Sequence, residues 1–263
     1  TTASANPFTL TGLTPGTTYD VYVRDSCGSG TSSLWIGPVT FTTPCTSITA
    51  PWSENFDGAN WVTSTHSQAG SIDPCWNRSA TNVFWWKAET GATPTGGTGP
   101  LGDHTSGTGQ YMHTETANGL TPTWLESPVI DLDTLSNPEL TFFYHMFGGQ
   151  IQKLDVEISV NGGAYSNLWT ATGAQQTAAT DPWKKAIISL ASYTGDSVRI
   201  RWFGYRNWGN ANQVDISIDD VVIDNALPCA DPVALTAIVA SSTSVQVSWT
   251  STSGGSTFIE YGT

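Results

Sequence analysis

The chain has 263 residues, with 22 acidic against 9 basic side chains and a net charge of −13. So few Lys and Arg leave no cationic footprint for phosphate backbones or anionic bilayers, which excludes nucleic-acid and membrane-surface binding. An apolar content of 38% excludes a disordered chain, and no run of roughly 18 apolar residues offers a membrane span.

Residues 1–45 predict three strands. Phe8-Thr9-Leu10 is short, and Leu13-Thr14-Pro15-Gly16 places Pro and Gly for a type II turn. Thr18 to Arg24 alternates strictly, with Tyr19, Val21 and Val23 on one face, and Val39 to Thr43 is the third strand. The series Leu10-Thr11-Gly12-Leu13-Thr14-Pro15-Gly16-Thr17-Thr18-Tyr19 resembles the second half of a fibronectin type III domain. That resemblance makes Tyr19 a tyrosine corner.

Residues 46–229 carry the longest ordered series of motifs. Asn55-Phe56-Asp57-Gly58 opens it, followed by Cys75-Trp76, Phe84-Trp85-Trp86 and the loop Gly99 to Thr105. Next come Gly107 to Met112, Leu125-Glu126-Ser127-Pro128 and Leu140 to Gly148, then Trp183-Lys184-Lys185-Ala186 and Ile216 to Val221, and Cys229 closes the block. Leu154 to Val160 alternates into an Asn161-Gly162-Gly163 hairpin turn, and Ala186 to Leu190 and Val198 to Phe203 alternate likewise. In this order the block resembles a MAM domain over nearly its whole length. An all-β fold, a jelly-roll β-sandwich, is what the resemblance implies.

Residues 230–263 mirror the first segment. Ala234 to Ala237, Ser244 to Trp249 and Thr257 to Tyr261 read as strands and resemble the opening strands of a fibronectin type III domain. Each flank is a half-sandwich with one open layer. The halves are expected to complement each other, with Tyr19 and Trp249 in one core, within a chain or between successive chains. Both ends read as cut from a longer chain.

Cys27, Cys45, Cys75 and Cys229 have neither CxxC nor His-paired zinc spacing, and an even count in a Lys-poor, Trp-rich β protein suggests disulfides and an oxidising compartment. Spacing leaves the pairing open; Cys27 with Cys45 is expected first, then Cys75 with Cys229. The MAM resemblance places Asp57 on the first strand, Asp103 in the Gly-Pro loop, and Asp219 and Asp220 on the last strand. Such carboxylates, with backbone carbonyls, suit Ca²⁺; the plainer alternative is that they cap turns. His104 and His145 read as hydrogen-bonded structural residues.

There is no Gly-x-Ser-x-Gly elbow and no phosphate loop, so a catalytic role is not expected. Trp85, Trp86, Trp208 and Tyr205 are candidates for stacking on sugar rings, although most of the tryptophans belong in a core. Two roles follow. One is a non-catalytic structural or adhesive repeat of a large secreted or cell-surface protein, with neighbouring copies or adjacent domains as partners, in the style of Bacteroidota surface proteins. The other is a carbohydrate-binding accessory module beside a polysaccharide-degrading enzyme.

Overall fold

A computed structural model describes residues 2, 5–63, 70–79, 84–116, 122–207, 213–226, 233–250 and 259. The chain divides into two compact units, Thr1–Asp224 and Asn225–Thr263.

The first unit opens with β1 (Thr18–Val23), β2 (Ser26–Gly28), β3 (Thr31–Ser32) and β4 (Ile36–Thr42). The expected strand at Phe8-Thr9-Leu10 is irregular and exposed, with no strand paired to it among the described residues. β1 and β4 form an antiparallel pair that sets Tyr19 opposite Phe41 and Val21 opposite Val39. Tyr19 Oη accepts a 2.9 Å hydrogen bond from the Thr14 amide, which is the geometry of a tyrosine corner.

Then follow β5 (Ile48–Thr49), β6 (Trp52–Glu54), β7 (Asn77–Arg78), β8 (Phe84–Thr90), β9 (Gln110–Thr116) and β10 (Thr123–Glu126). β11 (Ile130–Asp131), β12 (Pro138–Met146), β13 (Ile151–Val160), β14 (Ser166–Thr172) and β15 (Lys184–Ser189) come next. β16 (Ser197–Arg206) and β17 (Ile216–Asn225) complete the set. One sheet has the order β14-β13-β16-β10-β7, with β11 on β16 and β5 on β11; the other is β15-β12-β17-β9-β8, with β6 on β17. The two sheets make an all-β sandwich.

Alternation decides which side chains fill it. Leu154, Val156 and Ile158 of β13 and Val198, Ile200 and Trp202 of β16 are buried, as are Leu140 and Phe142 of β12 and Ala186 and Ile188 of β15. The β13–β14 turn has φ +51° at Asn161 and +75° at Gly162, the pair of positive values that a tight right-twisting hairpin requires.

β17 departs from strict alternation. Ile216 and Ile218 are buried, and so are Val221 and Ile223, so the parity slips by one residue. The slip falls at Asp219-Asp220, where Asp220 takes the left-handed φ of +46°. There the strand changes neighbour: Ser217 and Ile218 pair with β9, and Val221 to Ile223 pair with β6.

An aromatic cluster occupies the core. Trp76 stacks on Trp202 at 5.9 Å between ring centres, and Phe56 and Trp61 meet Trp76 edge-on at 5.6 and 5.3 Å. Phe142 meets Trp202 edge-on at 5.8 Å.

The second unit contains the hairpin β18 (Val233–Ser241) and β19 (Ser244–Thr250). Apart from Ile259, the expected strand Thr257 to Tyr261 lies outside the described residues.

The cysteine pairing corrects the sequence expectation. Cys45 is bonded to Cys75, with Cα atoms 5.6 Å apart, and Cys27 is free and exposed. Cys75 therefore has no bond to give Cys229, which itself lies outside the described residues. The cause is local. Cys75 sits next to the buried Trp76, and Gly16 closes the turn above the bridge. A Cβ on Gly16 would lie 2.8 Å from Cys75 Sγ and 3.0 Å from Cys45 Sγ, and its φ is +64°. Peptide mapping without reduction should recover Cys45 linked to Cys75, with Cys27 open to alkylation; a Cys27–Cys45 peptide would contradict the structure.

Candidate functional site

The four carboxylates picked out in the sequence lie at one pole of the sandwich. Asp57 follows β6, held by its neighbour Phe56, which is fully buried at φ +59° with its amide donating 2.8 Å to Glu54 Oε1. A bulky residue tolerates that backbone region only under constraint from its surroundings.

Asp57 Oδ1 accepts from the Gln110 amide at 2.7 Å. Asp103 Oδ1 accepts from the Gly109 amide at 2.7 Å, and its Oδ2 accepts from the Ser106 amide at 2.9 Å. Gly109 is where these two carboxylates meet: a Cβ there would lie 2.6 Å from Asp57 Oδ1 and 3.1 Å from Asp103 Oδ2.

Asp219 and Asp220 clasp the same loop from β17. Asp219 Oδ2 accepts from the His104 amide at 2.8 Å, and Asp220 Oδ2 pairs with His104 Nδ1 at 2.7 Å. The His104 ring lies flat on Phe143, 3.4 Å between centres.

The acids are not electrostatically alike. Burial opposes ionisation of Asp103, but the Ser106 and Gly109 amides outweigh it and bring the pKa below the usual value. Burial, reinforced by the Asp220 and Asp103 charges, raises the Asp219 pKa to about 8. Gln110 Oε1 is buried without a hydrogen-bond partner among the described residues. A surface depression lined by Asp57, Trp61, Thr108, Gly109 and Gln110 opens beside Asp57.

A family model described as "MAM domain, meprin/A5/mu" matches residues 52–230. The chain belongs to the MAM family. Relatives include thyroid hormone-induced protein B of Xenopus laevis, 34% identical over 155 residues, covering 56% of this chain and 20% of the relative. MAM domain-containing protein 2 of Homo sapiens is 33% identical over 153 residues, with 56% and 20% covered. This chain therefore spans only about a fifth of the length of those relatives. Among solved structures, a cleaved adhesin domain of Lys-gingipain from Porphyromonas gingivalis is similar at TM-score 0.42 and 16% identity, covering 67% of this chain and 98% of that one. A carbohydrate-binding module in complex with β-1,4-galactotriose is similar at TM-score 0.40 and 16% identity, covering 57% of this chain and 88% of that one.

In this MAM sandwich the donors at the acidic pole are carboxylate and amide oxygens, the hard ligands that Ca²⁺ takes. Asp57, Asp103 and the unpartnered Gln110 Oε1 fit that chemistry. Among the described residues no three His, Cys, Asp or Glu side chains form a metal cage, so backbone carbonyls and water would have to complete the shell. Asp219 Oδ2 and Asp220 Oδ2 already accept from the His104 amide and pair with its ring.

Two residues of the expected aromatic platform are buried. Trp85 and Trp86 are 5% and 0% exposed because both faces of β8 are covered, and neither presents a ring face. Tyr205 is half-buried on the outer face of β16, stacked on Phe203 at 4.9 Å and covered by Lys153 Nζ at 4.3 Å. Arg201 continues this ladder, 5.1 Å from Phe203 and 3.7 Å from Tyr165. The rings thus spend their faces on each other and on cations. Trp208 lies outside the described residues.

Sequence reasoning missed a buried polar layer on β8 and β9. Lys87 and His113 are fully buried, with Lys87 Nζ 3.3 Å and His113 Nε2 3.6 Å from Glu89 Oε2. Alternation in Phe84 to Thr90 would send Lys87 and Glu89 to solvent; the only sequence signal against that is the long Gly- and Thr-rich loop that follows.

His145 is fully buried, edge-on to Trp183 at 5.7 Å, and burial pushes its pKa down to about 4. The Asp181 backbone and carboxylate oppose that shift and are outweighed by burial. A depressed folded-state pKa favours the native state fully above the unfolded His value, and that contribution is lost as pH falls from about 6.5 to 4. Between pH 6.5 and 4 the melting temperature of the native chain should therefore fall more steeply than that of His145→Phe; parallel curves would remove His145 as the cause.

Proposed function

We propose that this chain is a non-catalytic, extracellular adhesive link, a MAM sandwich within a string of β-modules. Its flanks are the two halves of fibronectin type III sandwiches, and the whole is a repeat unit of a large bacterial surface protein. The observation carrying this reading is the Cys45–Cys75 bond, which fastens the β1–β4 segment covalently to the sandwich. Such a joint suits a module that holds its neighbours in place, and a disulfide suits an oxidising, extracellular setting. The Tyr19–Thr14 bond supports the sandwich character of the flank. The test is clustering of beads coated with the chain. Clustering with dispersal by excess free chain supports an adhesive link; beads that stay dispersed and bind a polysaccharide gel would favour the carbohydrate-binding module instead.

The same reading includes a structural Ca²⁺ at Asp57 and Asp103. Two carboxylates meeting over Gly109 repel each other, and a cation between them removes that cost. Ca²⁺ at a hundred times its dissociation constant would stabilise the fold by about 2.7 kcal/mol. Ca²⁺ should raise the melting temperature, chelator should reverse the rise, and Asp103→Asn should abolish it. A melting temperature indifferent to Ca²⁺ and chelator leaves the four acids as turn caps.

A further inference from the structure

β6 alternates Trp52, Ser53 and Glu54, with Ser53 exposed and the other two half-buried. Trp52 packs on the core and meets Trp76 at 6.0 Å between ring centres. Alternation therefore sends an acid, Glu54, to the core side of the strand, where a carboxylate is costly unless it is bonded.

Glu54 closes the segment that follows it. Its Oε1 accepts from the Phe56 amide at 2.8 Å, and the carboxylate also accepts from the Asn55 amide and the Trp61 side chain. Trp61 in turn donates its amide to the Gly58 carbonyl at 3.0 Å and packs edge-on to Phe56 at 4.9 Å. One carboxylate thus grips both ends of the stretch from Phe56 to Trp61, which has Asp57 near its start. Phe56 needs such a grip, because at φ +59° a bulky side chain is disfavoured. A side-chain acceptor bonded to the amide two residues on holds a turn that backbone preference alone would release.

The orientation of Asp57 depends on that turn. Its amide donates to Asn55 Oδ1 at 3.3 Å, its Oδ2 accepts from Asn55 Nδ2 at 3.0 Å, and its Oδ1 accepts from the Gln110 amide at 2.7 Å. A change of φ at Phe56 would swing all three.

We propose that Glu54 is the positioning residue of the acidic pole, holding Phe56 in the left-handed region and so aiming Asp57 at the start of β9. This deepens the Ca²⁺ reading, on which its effect on cation affinity rests. Glu54 acts through the backbone rather than as a ligand. Burial raises its pKa against the pull of the Phe56 amide, so a neutral acceptor of the same length can stand in for it.

The test uses the full chain and two variants of similar volume. Glu54→Gln keeps an acceptor oxygen and drops the charge; Glu54→Met drops both. The Gln110 amide proton, followed by NMR, reports the Asp57 bond without any metal, and Asp57→Ala gives its position when that bond is lost. Glu54→Met should move the proton to the Asp57→Ala position and weaken Ca²⁺ binding about tenfold or more. Glu54→Gln should leave both as in the native chain. A native Gln110 proton in Glu54→Met overturns the proposal. So does a Glu54→Gln chain that behaves as Glu54→Met, because the charge and not the acceptor would then be acting. If Glu54→Met does not fold, Glu54→Gln decides alone: a displaced Gln110 proton overturns the proposal, and an unmoved one supports it. A native chain indifferent to Ca²⁺ whose Gln110 proton still moves in Glu54→Met keeps the positioning role and removes the cation.

Discussion

The contact of Trp76 with Trp202 ties the core of one sheet to the segment that carries Cys75. Trp202 belongs to β16, in the middle of one sheet, and Trp76 to an irregular segment laid across the end of the core. Around this pair Phe56 and Trp61 pack edge-on. The neighbours in sequence then follow: Phe56 holds Asp57 at the acidic pole, and Trp76 holds Cys75 under the turn at Gly16. Aromatic pairs of this kind contribute about 0.5–1.5 kcal/mol each beyond area burial, and they have a preferred geometry. The cluster thereby orients backbone that hydrogen bonds alone would leave free.

β17 is the second organiser. By slipping its alternation at Asp219-Asp220 it keeps four apolar side chains in the core and turns two carboxylates toward the His104 loop. The same slip lets the strand trade β9 for β6. The placing of two carboxylates at the acidic pole and the closure of the sheet therefore share one irregularity, as bulge-like breaks in strands often do.

Much of this was legible in the sequence. The strands from Leu154 to Val160 and from Val198 to Phe203 follow the period of two, and the Asn161-Gly162 turn carries residues that accept positive φ. The MAM resemblance put Asp57 at the start of the block and Asp219 and Asp220 at its end, and β6, just before Asp57, pairs with β17, which carries the other two. Other features were not legible. Lys87 is fully buried opposite His113 of β9, and that cross-strand burial is not encoded in any local pattern. Trp85 and Trp86 read as platforms because an aromatic run looks the same whether one face or both are covered. The Cys45–Cys75 bond depends on how Trp76 docks, a tertiary fact that spacing does not contain. Tyr205 sits on the outer face of the sheet, yet Lys153 and Phe203 take up its ring, and that too is decided across strands.

The disulfide also determines how the molecule carries a mechanical pull. Tension entering along β4 reaches Cys45 and crosses directly to Cys75, 30 positions further on, so the segment between them lies outside the line of force. β5 and β6 fall within that slack loop, while β17, the partner of β6, lies on the taut path. With the bridge intact, stretching strains β17 against a neighbour that is itself unloaded. With the bridge reduced, β6 enters the path, and its three-residue ladder to β17 becomes an early point of yielding. The redox state of one bond thus sets which hydrogen bonds feel the force.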